Sequence, residues 1–153
     1  MKTYSAKPTE VVRKWYVLDA SEAPLGRLST KAATLLTGKG KVMFTKHIDC
    51  GDYVIVINAD QLVVTGKKLD QKMYYRHSGY PGGLTEQNLA AVMAKDPTIV
   101  IEKAIRGMLP VNKLRDERLK RLKVYRGADH MHSAQQPELI SVKPAATSKK
   151  ESK

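Results

Sequence analysis

Residues 53–57 read Tyr-Val-Ile-Val-Ile, an unbroken apolar run in which four of the five side chains are β-branched. A run without polar alternation is typical of a strand that is covered on both faces, as in a parallel sheet with helices packed against it. Upstream, residues 15–18 predict another strand, which ends at Asp19. Between these strands, leucine and alanine keep helical spacing over residues 25–36, and Gly38 supplies the C-terminal stop. A strand, a helix and a strand in this order predict a parallel pair with a right-handed crossover.

Further apolar segments predict how this unit is extended. Residues 62–64 and 73–75 are strand candidates, and residues 85–94 are predicted to form a helix. Residues 124–125 are candidates to close the sheet. The resulting fold class is α/β, with three layers in the order α/β/α and a small, mainly parallel sheet.

The 153-residue chain is short enough for one domain with a substantial core. We place this α/β domain at residues 15–140. Residues 1–14 are polar and basic and are predicted to form an extended N-terminal arm. Residues 141–153 carry four Lys against one Glu and lack apolar periodicity, so we predict a disordered basic tail.

Residues 101–127 carry half of the net charge of the chain. Nine Lys or Arg face three acids there, a net charge of +6 out of the formal +12. Charge of one sign at this density repels itself and is relieved by a polyanion. Because Ile, Leu, Met and Val alternate with the cations, we expect this stretch to be folded rather than a loose basic tail.

Two helices are predicted around this basic stretch. The first has Asp96 as N-cap and Pro97 in its first turn, followed by apolar residues at helical spacing over residues 101–108. The second runs over about residues 112–123. Arg118 falls inside the apolar arc of that helix, and we interpret it as wedged between the protein core and a phosphate backbone. The competing interpretation is an ordinary solvated helix face.

The overall composition narrows the class of partner. Lys and Arg number 27 against 15 Asp and Glu, which favours a nucleic acid or an anionic membrane surface. No run approaches the roughly 18 apolar residues that a spanning helix needs, and no signal-peptide core is present at the N-terminus. Cys50 is the single cysteine, so a reducing cytoplasmic setting is expected.

Patterns of nucleotide, metal and covalent chemistry are absent or incomplete. Residues 38–41 and 65–68 are glycine- and lysine-rich but lack the complete phosphate-loop pattern, so we interpret their lysines as contacts to backbone phosphates. Residues 47–52 include His, Cys and two Asp without paired zinc-ligand spacing. No metal, cofactor or catalytic residue is therefore expected. An RNA- or nucleotide-processing enzyme stays an alternative, as does a DNA-binding protein, although no helix-turn-helix pattern precedes residue 112.

The segment 74–83, Tyr-Tyr-Arg-His-Ser-Gly-Tyr-Pro-Gly-Gly, is the most unusual local sequence. Tyrosine rings stack on unpaired bases, and Arg and His contact phosphate or sugar. The glycines let the backbone approach a partner closely. The alternative is that one of Tyr74 and Tyr75 faces the core and that the glycines only make a turn.

Seven separated motifs, in this order, give the chain a family resemblance. They are WYVLDA at 15–20, PLGRL at 24–28, GDY at 51–53, TGKK at 65–68, YYRHSGYPGG at 74–83, RGMLP at 106–110 and LKVY at 122–125. Over about residues 1–140 the chain resembles bacterial-type large-subunit ribosomal proteins of the L-thirteen family. It departs from the family pattern at Arg115-Asp116, where Gly-Arg is usual, and at Arg126, where Ala is frequent.

The resemblance implies a four-stranded parallel sheet between helices and a structural, non-catalytic component of the large ribosomal subunit. It implies binding to large-subunit rRNA, an early part in subunit assembly, and neighbouring ribosomal proteins as partners. No small-molecule substrate, membrane or homo-oligomer is expected.

The cations and rings that we predict to contact RNA come from the loops, the segment 74–83, the basic stretch and the region after it. They are Arg27, Lys39, Lys41, Lys46, Lys67, Lys68, Tyr74, Arg76, His77, Tyr80, Arg106, Lys113, Arg115, Arg118, Lys120, Arg121, Lys123, Arg126, His130 and His132. Reversal of Arg118, Arg121 and Lys123 to Glu is expected to leave the fold intact and to impair incorporation into the subunit.

Overall fold

The strand–helix–strand unit predicted around residues 53–57 is confirmed. The structure is a computed structural model, which describes residues 4–142. Strand β1 (Trp15–Asp19) pairs in parallel with β2 (Tyr53–Ile57), and helix α1 (Leu25–Thr37) connects them. Gly38 ends α1 at φ +75°, in the left-handed conformation that glycine adopts without steric cost, and its N–H bonds the carbonyls of the last turn.

The remaining α-helices and strands follow between residue 68 and residue 139. In order they are α2 (Lys68–Gln71), β3 (Met73–His77), β4 (Leu84–Asn88), α3 (Leu89–Lys95), α4 (Pro97–Met108), α5 (Leu114–Lys120), β5 (Leu122–Val124) and β6 (Glu138–Leu139). As predicted, α4 begins at Pro97, and the Asp96 side chain accepts the N–H of Thr98.

The main sheet has four strands in the order β5-β2-β1-β6, and all of its pairings are parallel. The α/β fold class and the four-stranded parallel sheet are thereby confirmed. Val124 lies opposite Val56, so the segment expected to close the sheet does so. The two-residue strand β6 on the far edge was not predicted, because a pair of residues carries no periodicity.

The core lies between one face of this sheet and helices α1, α3 and α4. Leu18, Val54 and Val56 of the sheet belong to the same buried cluster as Leu28 of α1 and Ile101 of α4. Burial of one such side chain stabilises the fold by about 1.5–3 kcal/mol, whereas an exposed ion pair contributes about 0–1 kcal/mol. The apolar cluster, rather than the many surface charges, therefore carries most of the stability.

Aromatic side chains line the opposite face of the sheet. The rings of Trp15 and Tyr53 are neighbours on β1 and β2 and stack with centroids 4.2 Å apart and 7° between their planes. His132 lies 5.0 Å from Trp15 and 6.1 Å from Tyr125. The connection from β5 to β6 is thus packed onto this face through its histidine.

Two element predictions are corrected, and a third is confirmed outside the main sheet. Residues 62–64 are not a strand, since only Val63 pairs, in a single bridge to Pro24. Residues 73–75 do form a strand, but in a separate antiparallel hairpin with β4, so residues 85–88 are strand rather than helix. Cross-strand pairing overrides helix propensity there, and α3 begins only where the Asn88 side chain accepts the N–H of Ala91.

The second helix of the basic stretch is shorter than predicted. It covers Leu114–Lys120 rather than about 112–123. The chain leaves the helix because residues 122–124 pair with β2, where Leu122 lies opposite Val54. Backbone pairing of residues 122–124 with β2 therefore takes precedence over a further helical turn.

The described ends of the chain are attached to the domain. Within the predicted N-terminal arm, Ala6 donates its N–H to Thr45 Oγ1 at 3.1 Å, and Lys14 donates its N–H to Asp52 at 2.8 Å. At the other end, the N–H of Val142 bonds Glu22 at 3.0 Å. Residues 1–3 of the arm, and residues 143–153 of the predicted disordered tail, lie outside the described residues. In the described part of the chain, every helix is too short or too polar to cross a membrane.

Candidate nucleic-acid interface

Two arginines of the basic stretch are buried, contrary to the sequence interpretation. Arg118 is 1% exposed and Arg121 is 7% exposed. Both pair with Asp49: Arg121 Nη2 donates to Asp49 Oδ1 at 2.7 Å, and Arg118 Nε lies 3.5 Å from the same oxygen. Buried cations require a carboxylate partner, and one aspartate serves both here.

This buried cluster corrects two predictions. Arg118 and Arg121 do not lie on the surface, so neither guanidinium is placed to contact a phosphate. Their reversal to Glu would put buried carboxylates beside Asp49, and the fold is therefore not expected to stay intact. The sequence placed Arg118 correctly inside the apolar arc of α5, but its partner lies 69 positions earlier on a loop and left no local signal.

The loop that carries Asp49 is fitted closely against the end of α1. A Cβ at Gly51 would lie 1.7 Å from the Leu36 carbonyl oxygen, and one at Gly38 would lie 2.5 Å from the Cys50 carbonyl oxygen. Nothing but glycine fits at these two positions without moving the backbone. These close contacts fix the position of the loop, and therefore of Asp49, relative to the end of α1.

Asp52 anchors the same loop from its other end. It is 3% exposed and accepts hydrogen bonds from Lys41 Nζ at 2.6 Å and from the Lys14 backbone N–H. Lys41, predicted to contact RNA, is therefore held in an ion pair within the protein. Its neighbours Lys39 and Lys46 are exposed.

Ten of the predicted cations are exposed and make no ion pair within residues 4–142. They are Arg27, Lys39, Lys46, Lys67, Lys68, Arg76, Arg106, Lys113, Lys120 and Lys123. They are distributed over α1, α2, the loops, the hairpin, α4, α5 and β5. Because no carboxylate of the described chain neutralises them, their charge is available to an external anion.

Two further predicted cations differ from these ten, because Arg126 is paired within the protein and Arg115 is partly buried. Arg126 is exposed, but its Nη2 lies 3.3 Å from Asp96 and donates to the Lys95 carbonyl at 3.2 Å. Arg115 is half-buried, and its buried Nε has no hydrogen-bond partner among the described residues.

The β3–β4 hairpin projects the tyrosine-rich segment onto the surface. Its turn is closed by Ser78 and Gly83, and the N–H of Gly79 bonds His77 Nδ1 at 3.0 Å. Tyr75 is 64% exposed and Tyr80 75% exposed. Arg76 and His77 are also exposed, so three of the four predicted contacts of this segment, Arg76, His77 and Tyr80, lie on the surface.

Tyr74 is the inward-facing member of the tyrosine pair. Its ring is half-buried, with Lys103 Nζ 4.9 Å and Lys72 Nζ 5.4 Å from the ring centroid. Burial raises the pKa of the Tyr74 hydroxyl. Lys72 and Lys103 were not among the predicted contacts, and Lys103 reaches the ring only because the tertiary fold brings α4 beside Tyr74.

The His132 backbone N–H donates to His130 Nδ1 at 3.3 Å, whereas His47 and Cys50 belong to the loop before β2. His130 and His132 are half-buried beside Tyr125 and Trp15, and His47 hydrogen-bonds Ser5 Oγ at 3.2 Å. Cys50 is buried. Across residues 4–142, no three potential ligands of the His, Cys, Asp or Glu type are grouped to hold a metal ion.

Comparison with known proteins places these features in a family. The family model for ribosomal protein L13 matches residues 13–131. A protein named large ribosomal subunit protein uL13 from Alcanivorax borkumensis is 58% identical over 142 residues, which cover 93% of this chain and all of that protein. Proteins of the same name from Clostridium botulinum and Thermobifida fusca are 55% and 52% identical, over 94% and 95% of this chain and 99% and 100% of their own length.

The matched region contains β1 and β2 of the main sheet, the hairpin, α4 and the basic stretch. Identity above one half over almost the whole length excludes a likeness that is confined to a single motif. On these grounds the chain belongs to the ribosomal protein L13 family and is a structural protein of the ribosome, not an enzyme.

Proposed function

We propose that this protein is a structural constituent of the large ribosomal subunit that binds large-subunit rRNA through its exposed cations. The observation that carries the proposal is the set of ten exposed Lys and Arg side chains without an ion pair in residues 4–142. RNA presents one phosphate per nucleotide, so it supplies the missing counter-charges at high density.

The mechanism is electrostatic and requires no bond to be made or broken. Each Lys or Arg that neutralises a phosphate releases condensed counterions, and the entropy of that release drives binding. Contacts of this kind position the protein without reading base sequence. The parallel sheet and the Asp49 cluster support the proposal because they hold α5 and the loops in a fixed arrangement before binding, which lowers the entropy cost of association.

The hairpin adds a second kind of contact. We propose that Tyr75 and Tyr80 stack on unpaired bases while Arg76 contacts the backbone. Exposed rings on a paired two-stranded ribbon are presented with little conformational freedom, and stacking tolerates any base.

Neighbouring proteins of the subunit and an early place in assembly complete the proposal. The names of the relatives support the first, since each is a protein of the large ribosomal subunit. We propose that the protein acts there as one copy in the cytoplasm, without a cofactor.

The test has two readouts. Sedimentation of a lysate should find the chain with the large subunit. The purified protein should bind deproteinised large-subunit rRNA with a salt dependence that reports the phosphates engaged: for ten phosphates, log K falls against log salt with a slope of about −7 to −9. Affinity that hardly changes between about 50 and 200 mM salt would contradict the electrostatic mechanism.

A further inference from the structure

Helices α1 and α4 and the segment before β3 enclose a groove that the sequence did not predict. Its volume is about 630 Å³. We call it the α1–α4 groove. Its walls are the first turn of α1, residues 64–72 and the last turns of α4. Pockets that hold drug-sized ligands have volumes of about 300–1,000 Å³, and the groove lies within that range.

The charged side chains that line the α1–α4 groove all have one sign. Lys68, Lys72 and Lys103 lie along it, and among residues 4–142 no acid lines it. Leu25, Val64 and Met108 provide apolar surface between them. An apolar floor bordered by three cations is complementary to a flat, apolar ring that carries a negatively charged group on one side.

Two helical glycines keep the groove open. Gly26 lies in the first turn of α1 and Gly107 next to the end of α4, and both line the groove. A Cβ built on either meets no atom of the described chain within 4 Å. Neither glycine has a positive φ, and glycine is unfavourable in a helix. Internal packing therefore gives no reason for glycine at either position, in contrast to Gly51.

We infer that the α1–α4 groove receives an unpaired nucleotide of the rRNA, with its base on the apolar floor between Gly26 and Gly107 and its phosphates at Lys68, Lys72 and Lys103. This inference rests on the proposed function and adds, beside the hairpin tyrosines, a second site of base contact to a surface that otherwise contacts phosphates. The two glycines admit the base because a side chain at either position would occupy the space that the base takes. Sequence-tolerant apolar and stacking contacts of this kind are how proteins hold splayed-out RNA bases.

The experiment compares Gly107→Leu and Gly26→Leu with Ala91→Leu, which places the same leucine side chain at an exposed helical position outside the groove. Each full-length protein is melted alone, titrated with deproteinised large-subunit rRNA, and footprinted on that RNA with a reagent that modifies unpaired bases. Because leucine favours helix over glycine, the two groove variants are expected to melt at the wild-type temperature or roughly 1–3 °C above it.

We expect both groove variants to bind the rRNA about tenfold more weakly than the wild type, which corresponds to one lost base contact. Both should also lose protection of the same one or two bases, while Ala91→Leu keeps affinity and protection. Wild-type affinity and a wild-type footprint in the groove variants would overturn the inference. If such variants were also incorporated less well into subunits, the occupant of the groove would be a protein segment rather than a nucleotide. A weaker binding that is matched by a lower melting temperature would overturn it too, in favour of a packing role.

The same measurements separate this inference from the proposed function. If the wild-type protein fails to bind the rRNA, the proposed function fails and the groove inference with it. If the wild type binds with the expected salt dependence and the groove variants bind equally well, only the groove inference fails.

Discussion

Arg121 and Asp49 are joined by hydrogen bonds across 72 positions of the sequence, with Arg121 Nη2 2.7 Å from Asp49 Oδ1. Arg118 shares the same carboxylate. The basic stretch therefore has two kinds of cation. The two buried arginines hold α5 and the residue after it to the loop before β2, and the exposed lysines, such as Lys120 and Lys123, remain available to a partner.

Removal of the shared carboxylate should destabilise the free protein. Asp49→Ala leaves Arg118 and Arg121 buried without a counter-charge, and breaking a buried pair in this way costs about 3–5 kcal/mol. Urea unfolding followed by circular dichroism measures the loss. Asp129→Ala, which removes an exposed acid, is the control. Equal unfolding midpoints for Asp49→Ala and the wild type would refute the structural role of this cluster.

Neutralising the outward-facing cations should weaken RNA binding and leave stability unchanged. In the double variant Lys120→Ala/Lys123→Ala, the slope of log K against log salt is expected to become shallower by about 1 for each lysine that contacts a phosphate. Filter binding to large-subunit rRNA over a salt series measures this slope. Lys120→Arg/Lys123→Arg retains both charges and should keep the wild-type slope; a slope unaltered by the alanines would remove these two side chains from the interface.

The hairpin tyrosine Tyr80 should contribute through its ring rather than its hydroxyl. Tyr80→Ala is expected to cost about 1–3 kcal/mol of rRNA-binding free energy, the usual range for one stacked base. Tyr80→Phe keeps the ring and should bind as the wild type does. Since Tyr80 is 75% exposed, neither change should alter the melting temperature. Equal affinities for the Ala and Phe variants would argue against stacking.

Gly51→Ala should damage the fold itself. The added Cβ would lie 1.7 Å from the Leu36 carbonyl oxygen, so the loop must move away from α1 and shift Asp49 relative to Arg121. We expect a loss of about 3 kcal/mol or more in the free energy of unfolding. Gly127→Ala is the matched control, because a Cβ there meets no described atom within 4 Å. A Gly51→Ala protein as stable as this control would show that the loop adapts without strain.

Asp96 should make stability depend on pH. Its side chain accepts hydrogen bonds from Thr98, and these, with the nearby Arg126, hold the pKa of the carboxyl below its ordinary value of 3.8. A carboxyl whose pKa is lowered by folding stabilises the fold above the ordinary pKa, and that contribution is lost as the pH falls through the lower, folded-state pKa. Asp96→Asn removes the charge but keeps an N-capping side chain.

Asp96→Asn should therefore melt below the wild type at pH 7, and the difference should narrow as the pH falls below 3.8. Thermal unfolding of both proteins between pH 7 and pH 2.5 measures this. In a Thr98→Ala background, which removes the main hydrogen-bond donor, the difference at pH 7 should be smaller. A difference that stays constant over the whole pH range would contradict the assigned cause.

Some elements of the fold were predictable because their signals are local. The run at residues 53–57 indicated a strand covered on both faces, and Val54, Ile55 and Val56 are all fully buried. Asp96 and Pro97 marked the start of α4 to the residue. The same local reasoning failed at residues 85–88, where pairing with β3 decides the conformation, and a helical pattern in a short window cannot report that pairing.

By itself the sequence determined the parallel α/β core, since β-branched runs and the helical period set which faces must be buried, and it also determined the excess of positive charge. The tertiary structure alone decided how that charge is divided. Arg118, Arg121 and Lys41 face inward because Asp49 and Asp52 are brought to them by the fold. Pairing between residues far apart in sequence depends on the distance between folded elements, and no spacing along the chain encodes it.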